Sequence, residues 1–166
     1  MKIAVIGASG AGKTYFAEKL SGLTHTPCYA LDDLFWDNDA GGYNKKRDPE
    51  ERNAMLRTIL EREDWIVEGV QYSWVTEAFR TADRIFLLDM PPLLCRLRII
   101  RRFFTRKICG NGKANESLRS LLSLLKWTRH FYRKNLPEIR AILGRYPEKV
   151  CILSSRREEN EALSRI

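Results

Sequence analysis

The 166-residue chain predicts an α/β fold with a mostly parallel, five-stranded sheet. Three observations carry that expectation. Short β-rich runs alternate with helical stretches from end to end, the first run ends directly in a glycine-rich segment, and neither an internal repeat nor a Pro/Ser-rich linker divides the chain. One domain is expected at this length, since domains usually span ~100–200 residues.

Lys2-Ile3-Ala4-Val5-Ile6 has the unbroken apolar character of a strand buried on both faces. A helix is expected over Thr14–Leu20, and Tyr29–Leu31 reads as a second strand. Asn38, Gly41, Gly42 and Asn44 make Asp37–Asp48 a loop. Asp48-Pro49-Glu50-Glu51 then starts a helix with a capping acid, Pro at the first helical position and acids in the first turn; it should reach about Glu63. Trp65–Glu68 and Arg84–Leu88 are the third and fourth strands. A helix follows Pro91-Pro92 to about Phe104, and Thr105–Asn115, with Gly110, Asn111 and Gly112, reads as loop. Ser117–Arg145 should be helical with a break near Pro137, which lacks an amide donor. Val150–Leu153 is the fifth strand and Arg156–Ile166 a last helix.

A composition of 44% hydrophobic and 30% charged residues excludes collagen, low-complexity disorder and a membrane protein, and no apolar run approaches the ~18 residues of a spanning helix. A chain of this size buries about 70% of its unfolded surface and needs neither disulfide nor metal to hold a core. Met1-Lys2 leads straight into the first strand with no signal-peptide pattern, so a cytoplasmic location is expected. Cys28, Cys95, Cys109 and Cys151 stand 67, 14 and 42 residues apart. That spacing is unlike a zinc site and fits reduced, mostly buried thiols. The net charge of +8 is unevenly placed: residues 96–149 carry +12 and the remainder −4. Such asymmetry points to an anionic partner, although charge alone is equally compatible with a solvated basic surface.

Gly7-Ala8-Ser9-Gly10-Ala11-Gly12-Lys13-Thr14 matches G-x-x-x-x-G-K-[ST] at every fixed position, between a predicted strand and a predicted helix. Glycines let the backbone curl so that successive N–H groups point inward at phosphate oxygens, and the helix that follows aims its positive end at the same anion. Lys13 is placed to reach β- and γ-phosphates and the Thr14 hydroxyl to ligate Mg²⁺. Ligands of open parallel sheets bind beyond the carboxyl ends of the strands, which gives Asp32, Asp33, Glu68 and Asp89 added weight. Asp32 and Glu68 are read as functional acids, with helix-cap or turn chemistry as the plainer alternative, and Asp89, before Met90-Pro91-Pro92, as a helix cap.

After Pro91, Arg98, Arg101 and Arg102 share one helical face, from which guanidinium groups can stack on a base or grip phosphate. A solvated helix face is the plainer alternative. Leu118, Leu121, Leu122, Leu125 and Tyr132 form one apolar stripe, with Leu124, Trp127 and Phe131 on another side and Arg119, Lys126 and Arg133 in a basic strip alongside. Core or lid packing is expected for the apolar residues; basic amphipathic helices also meet membranes or nucleic acid. His25 and His130 have no ligand-like partners, and Trp36 and Trp74 are read as packing residues, with the lining of an acceptor pocket as the alternative.

These motifs resemble the P-loop kinase group that includes adenylate kinase. They most closely resemble the adenylate-kinase-like DNA topology modulation proteins. Leu31-Asp32-Asp33-Leu34-Phe35-Trp36 is similar to that family's L-D-x-L-x-W, Trp65-Ile66-Val67-Glu68-Gly69 to its W-I-I-D-G, and Asp83–Pro91 to its A-D-x-I-I-x-L-D-x-P. Lys126-Trp127 and Leu153–Glu158 correspond to weaker later patterns. The resemblance implies a P-loop NTPase fold: three α/β/α layers, a five-stranded parallel sheet, an acceptor-binding segment over about residues 32–64 and a small basic lid over about 103–130. It also implies that Arg98 is the adenine-stacking arginine and that Arg102 contacts phosphate. The chain departs from the pattern twice. Glu68 stands where the family usually has Asp, and Gly69-Val70-Gln71-Tyr72 replaces the Gly-Phe-Pro-Arg of adenylate kinases, so the arginine that holds an AMP phosphate has no counterpart.

The expected function is therefore an ATP- and Mg²⁺-dependent phosphotransferase acting on a nucleotide or other small-molecule acceptor. The loop Gly7–Thr14 would hold the phosphates and Thr14 with Glu68 the metal, Asp32 would position or deprotonate the acceptor, and Arg98, Arg101 and Arg102 would contact the base or neutralise charge. Two alternatives share the loop: a nucleotide-dependent nucleic-acid-binding regulator that uses residues 96–149, and a simple ATPase. No helix-turn-helix, zinc finger or RNP-like motif supports the first, and no [NT]KxD motif points to GTP. Oligomeric state is not legible.

Overall fold

The computed structural model describes residues 1–37, 45–108 and 117–166. Its strands are β1 (Lys2–Gly7), β2 (Cys28–Ala30), β3 (Trp65–Gly69), β4 (Arg84–Leu88) and β5 (Val150–Leu153), all parallel in the order β2-β3-β1-β4-β5. The sequence expectation of a five-stranded parallel α/β sheet therefore holds. β1 is central: Ala4 lies opposite Val67 and Ile85, and Val5 opposite Glu68 and Phe86. Because side chains alternate across a strand, the register divides the core into two layers. Ala4, Ile6, Trp65, Val67, Ile85 and Leu87 face one side, and Ile3, Val5, Ile66, Phe86 and Leu88 the other.

Helices cover both faces. They are α1 (Lys13–Thr24), α2 (Leu31–Phe35), α3 (Pro49–Leu60), α4 (Thr76–Thr81), α5 (Pro92–Ile108), α6 (Leu118–His130), α7 (Leu136–Leu143) and α8 (Arg156–Leu163). On the first face Leu56, Ile59 and Leu60 of α3, Phe79 of α4 and Leu136, Ile139 and Leu143 of α7 close the core; on the second, Phe16, Ala17 and Leu20 of α1 and Cys95 of α5 do so. Phe16 is fully buried and meets Phe86 edge-on at 5.1 Å between ring centres. Truncating such a ring to alanine leaves a cavity costing about 3–5 kcal/mol. Asp48 caps α3 as expected, accepting from the amides of Glu50 and Glu51 with Pro49 at the first position.

Several local expectations are corrected. α1 continues to Thr24, α3 stops at Leu60 and α8 at Leu163, while α2 and α4 are short helices where none was expected, with Leu31 in α2 rather than β2. α5 does not end near Phe104 but runs on through Arg106 and Lys107, both good helix formers, to Ile108; the remainder of the expected loop lies outside the described residues. Pro137 does not break its helix. One π-helical turn, Phe131–Asn135, precedes it, and Pro137 then falls in the first turn of α7, where a missing donor is tolerated. Asp89 pairs with Arg140 of α7 instead of serving as the expected cap. Among the cysteines, Cys95 is buried and Cys28 half-buried, but Cys151 on edge strand β5 is exposed, and Cys109 lies outside the described residues.

Candidate functional site

The ends of β1, β2 and β3 deliver the site. β1 stops at Gly7, whose missing side chain admits the neighbouring strand: a Cβ there would sit 2.6 Å from the Leu88 carbonyl oxygen. The chain then turns through Gly10 (φ 78°) and Gly12 (φ 105°), left-handed conformations that favour glycine, before α1 begins at Lys13. Ala8 and Ala11 are fully buried and the Ala11 amide donates to the Ala8 carbonyl at 3.1 Å, which closes the curl. A Cβ on Gly10 would lie 2.5 Å from the Cys95 carbonyl oxygen, so α5 backs directly onto the loop. Ser9 lies half-buried between these glycines.

Lys13 is buried and its Nζ donates to the Ala8 carbonyl across the loop at 3.0 Å. Burial pulls its ammonium below the ordinary lysine range, while the charges of Glu68 and Asp32 oppose that shift. The exposed Thr14 donates its hydroxyl to Glu68 Oε1 at 2.8 Å. Glu68 is itself buried at the end of β3, and burial raises its carboxyl above the usual carboxylate range against the pull of Lys13 and the Thr14 hydrogen bond. Asp32, exposed in the first turn of α2, is close enough to act electrostatically on both Lys13 and Glu68. Two carboxylates, an ammonium and a hydroxyl thus converge beside the glycine loop. Hydroxyl and carboxylate are hard oxygen donors of the kind Mg²⁺ takes, so the residues present fit that ion. Among the described residues no group of three or more His, Cys, Asp and Glu is placed to hold a metal unaided.

The arginines separate. Arg98 Nη1 donates to the Ala11 carbonyl at 2.7 Å and to Gly10 at 3.3 Å, pinning the loop from α5. Arg102, one turn further, lies within electrostatic reach of Lys13. Arg101 is exposed, and no contact with the loop is seen. Of the expected basic strip, Lys126 and Arg133 line a shallow groove with Arg129, His130 and Lys134 across the end of α6 and the π turn, and Arg119 is not among its lining residues. In the segment expected to bind an acceptor, Arg52 of α3 stacks over Trp74, itself outside that segment, at 4.2 Å, and Trp36 packs edge-on against Phe35.

One part of the site escaped sequence reasoning. Glu159 of α8 is buried, with Oε2 accepting from Arg156 at 2.9 Å and Oε1 without a hydrogen-bond partner. That oxygen lies 3.7 Å from where a Gly12 Cβ would stand, and Arg98 Nη1 lies 3.4 Å from the same point. Arg156 in turn stacks on Tyr15 of α1 at 4.2 Å. In sequence Glu159 is one acid among several in a helix whose Ser155 cap and Glu158 are the visible signals. Only the fold brings it beneath the loop.

No protein-family model matches the chain, and no curated protein matches it. Solved structures do. Shikimate kinase from Acinetobacter baumannii in complex with shikimate aligns over 99% of this chain and 89% of its own, with TM-score 0.63 and 14% identity. A gluconokinase from Sinorhizobium meliloti aligns over 99% and 91% with TM-score 0.56 and 16% identity. Shikimate kinase from Bacteroides thetaiotaomicron aligns over 99% and 95% with TM-score 0.55 and 18% identity. The fold is that of the P-loop kinases.

Proposed function

We propose that this chain is an ATP- and Mg²⁺-dependent phosphotransferase that acts on a small-molecule acceptor. The observation that carries the reading is the convergence of Lys13, Thr14, Glu68 and Asp32 on one glycine loop at the carboxyl ends of three parallel strands. The fold shared with proteins named shikimate kinase and gluconokinase supports it. The ordered motifs around Asp32, Glu68 and Asp89 alone support the adenylate-kinase-like topology modulation branch.

The loop amides of Gly7–Thr14 bind the nucleotide phosphates, and Lys13 leaves its Ala8 carbonyl for the β,γ-oxygens. Thr14 and Glu68 would hold Mg²⁺, which supplies charge neutralisation at the β- and γ-phosphates. The Thr14 hydroxyl and the Glu68 carboxylate are the oxygen donors that this chain would offer the ion. Asp32, exposed and within electrostatic reach of Lys13, orients the acceptor and takes its proton. Arg98 holds the loop in shape through two carbonyls, and Arg102 adds positive charge where the transferring group becomes most anionic. The acceptor-binding segment is α2 and α3, and the lid carries the end of α5 and α6.

The test is a panel of nucleoside monophosphates, nucleosides, polyols and hydroxy acids incubated with ATP and Mg²⁺ and scored for phosphorylated product. Transfer to at least one acceptor is expected, and Asp32→Asn should slow it by about 10²–10⁴-fold with ATP affinity kept. Hydrolysis that is the same with and without every acceptor would show a simple ATPase instead.

A further inference from the structure

α5 carries two apolar faces and the core uses one. Cys95, Ile99 and Phe103 are buried against the domain. At about 100° per residue, Leu93, Leu97, Ile100, Phe104 and Ile108 fall on the opposite side. Leu93 is 67% exposed, Leu97 55%, Phe104 49% and Ile108 82%, with Ile100 half-buried between them. The row is ~22 Å long at the helical rise per residue. Scattered exposed apolar residues are ordinary on a protein surface, but a continuous row of large ones marks a surface that meets something.

The flanking charges select what that is. Arg96 and Lys107 border the row on one side and Arg101 on the other, all three exposed, and α5 contains no Asp or Glu. A second copy of the chain would set two unneutralised basic borders against each other. Nucleic acid would satisfy the cations and leave the leucines without a partner, because its outer surface is phosphate. An anionic lipid surface satisfies both: aliphatic side chains enter the acyl boundary while the cations stay among the headgroups. We propose that the outer face of α5 is a peripheral docking surface for anionic membranes. No helix among the described residues is long and apolar enough to cross one. The proposal does not depend on the phosphotransferase reading.

The experiment is co-sedimentation with phosphatidylcholine vesicles, plain or containing about one-third phosphatidylglycerol. Binding to the anionic vesicles alone is expected, weakened at ~0.5 M salt. Leu97→Gln with Ile108→Gln removes apolar area at constant charge, and Arg96→Gln with Lys107→Gln removes charge at constant apolar area. Each pair should weaken binding by about tenfold or more, with the melting temperature kept because all four side chains are exposed. Several results overturn the proposal: no vesicle binding, equal binding to plain vesicles, or binding unmoved by either pair. So does a dimer in light scattering that Leu97→Gln with Ile108→Gln dissolves, or binding of duplex DNA by a protein that leaves vesicles unbound.

Discussion

The Thr14 hydroxyl donates to Glu68 Oε1 at 2.8 Å, tying the first turn of α1 to the carboxyl end of β3. The bond joins residues 54 positions apart, and it exists because β1 and β3 are adjacent, with Val5 and Ile6 opposite Glu68 and Gly69. It brings a hydroxyl and a carboxylate to one point beside a buried lysine.

The titration of Glu68 follows from that burial. Burial raises its carboxyl above the ordinary value of 4.5, with Lys13 and Thr14 pulling the other way. A raised acid holds its proton more tightly folded than unfolded. Its contribution to stability is therefore complete below the ordinary value and is lost as pH rises through the folded value. Glu68→Gln should accordingly gain in melting temperature relative to wild type as pH increases from about 4 to about 8. Melts of both proteins across that range check it; a difference that does not change with pH contradicts it.

The glycines of the loop are expected to behave unlike a glycine elsewhere. Gly7→Ala would press a Cβ to 2.6 Å from the Leu88 carbonyl, and Gly10→Ala would strain a φ of 78° and meet the Cys95 carbonyl. Each should destabilise by about 1–3 kcal/mol. Gly22, inside α1 with nothing within 4 Å, should instead stabilise by about 0.5–1 kcal/mol when changed to Ala. Denaturant unfolding of the three variants separates the two behaviours.

Arg98 holds the loop through the Ala11 and Gly10 carbonyls. Arg98→Ala should lower stability by about 1–2 kcal/mol and weaken nucleotide binding at the same time, whereas Arg101→Ala, exposed on the same helix, should leave stability within about 0.5 kcal/mol. Parallel melts and nucleotide titrations test this; equal effects of the two substitutions would show that the carbonyl contacts do not matter.

How far the sequence led depends on the range of the interactions. The central strands β1, β3 and β4 were legible because each is a short apolar run largely buried on both faces, the partly exposed edge strands β2 and β5 as short β-rich runs, and the loop from its glycine spacing between strand and helix. α3 was legible from Asp48-Pro49, a local signal with a local effect. What could not be read is set by distant neighbours. Arg98 meets a carbonyl 87 residues away, and Glu159 reaches the underside of Gly12 only once β5 has placed α8 beside α1. The sharing of roles among three arginines on one helical face was equally hidden, since periodicity gives a face but not what it meets. Pro137 misled for the opposite reason: its local effect is real, and a π turn ahead of it absorbs that effect.

The central claim is that Gly7–Thr14, with Glu68, holds the phosphates of ATP with Mg²⁺. Calorimetric titration of ATP with Mg²⁺ into the wild-type protein and Lys13→Ala tests it most directly. Saturable binding by the wild type and a loss of about 100-fold or more in the variant are predicted, as removing a buried charged contact to phosphate costs several kcal/mol. Undiminished affinity in Lys13→Ala would contradict the account.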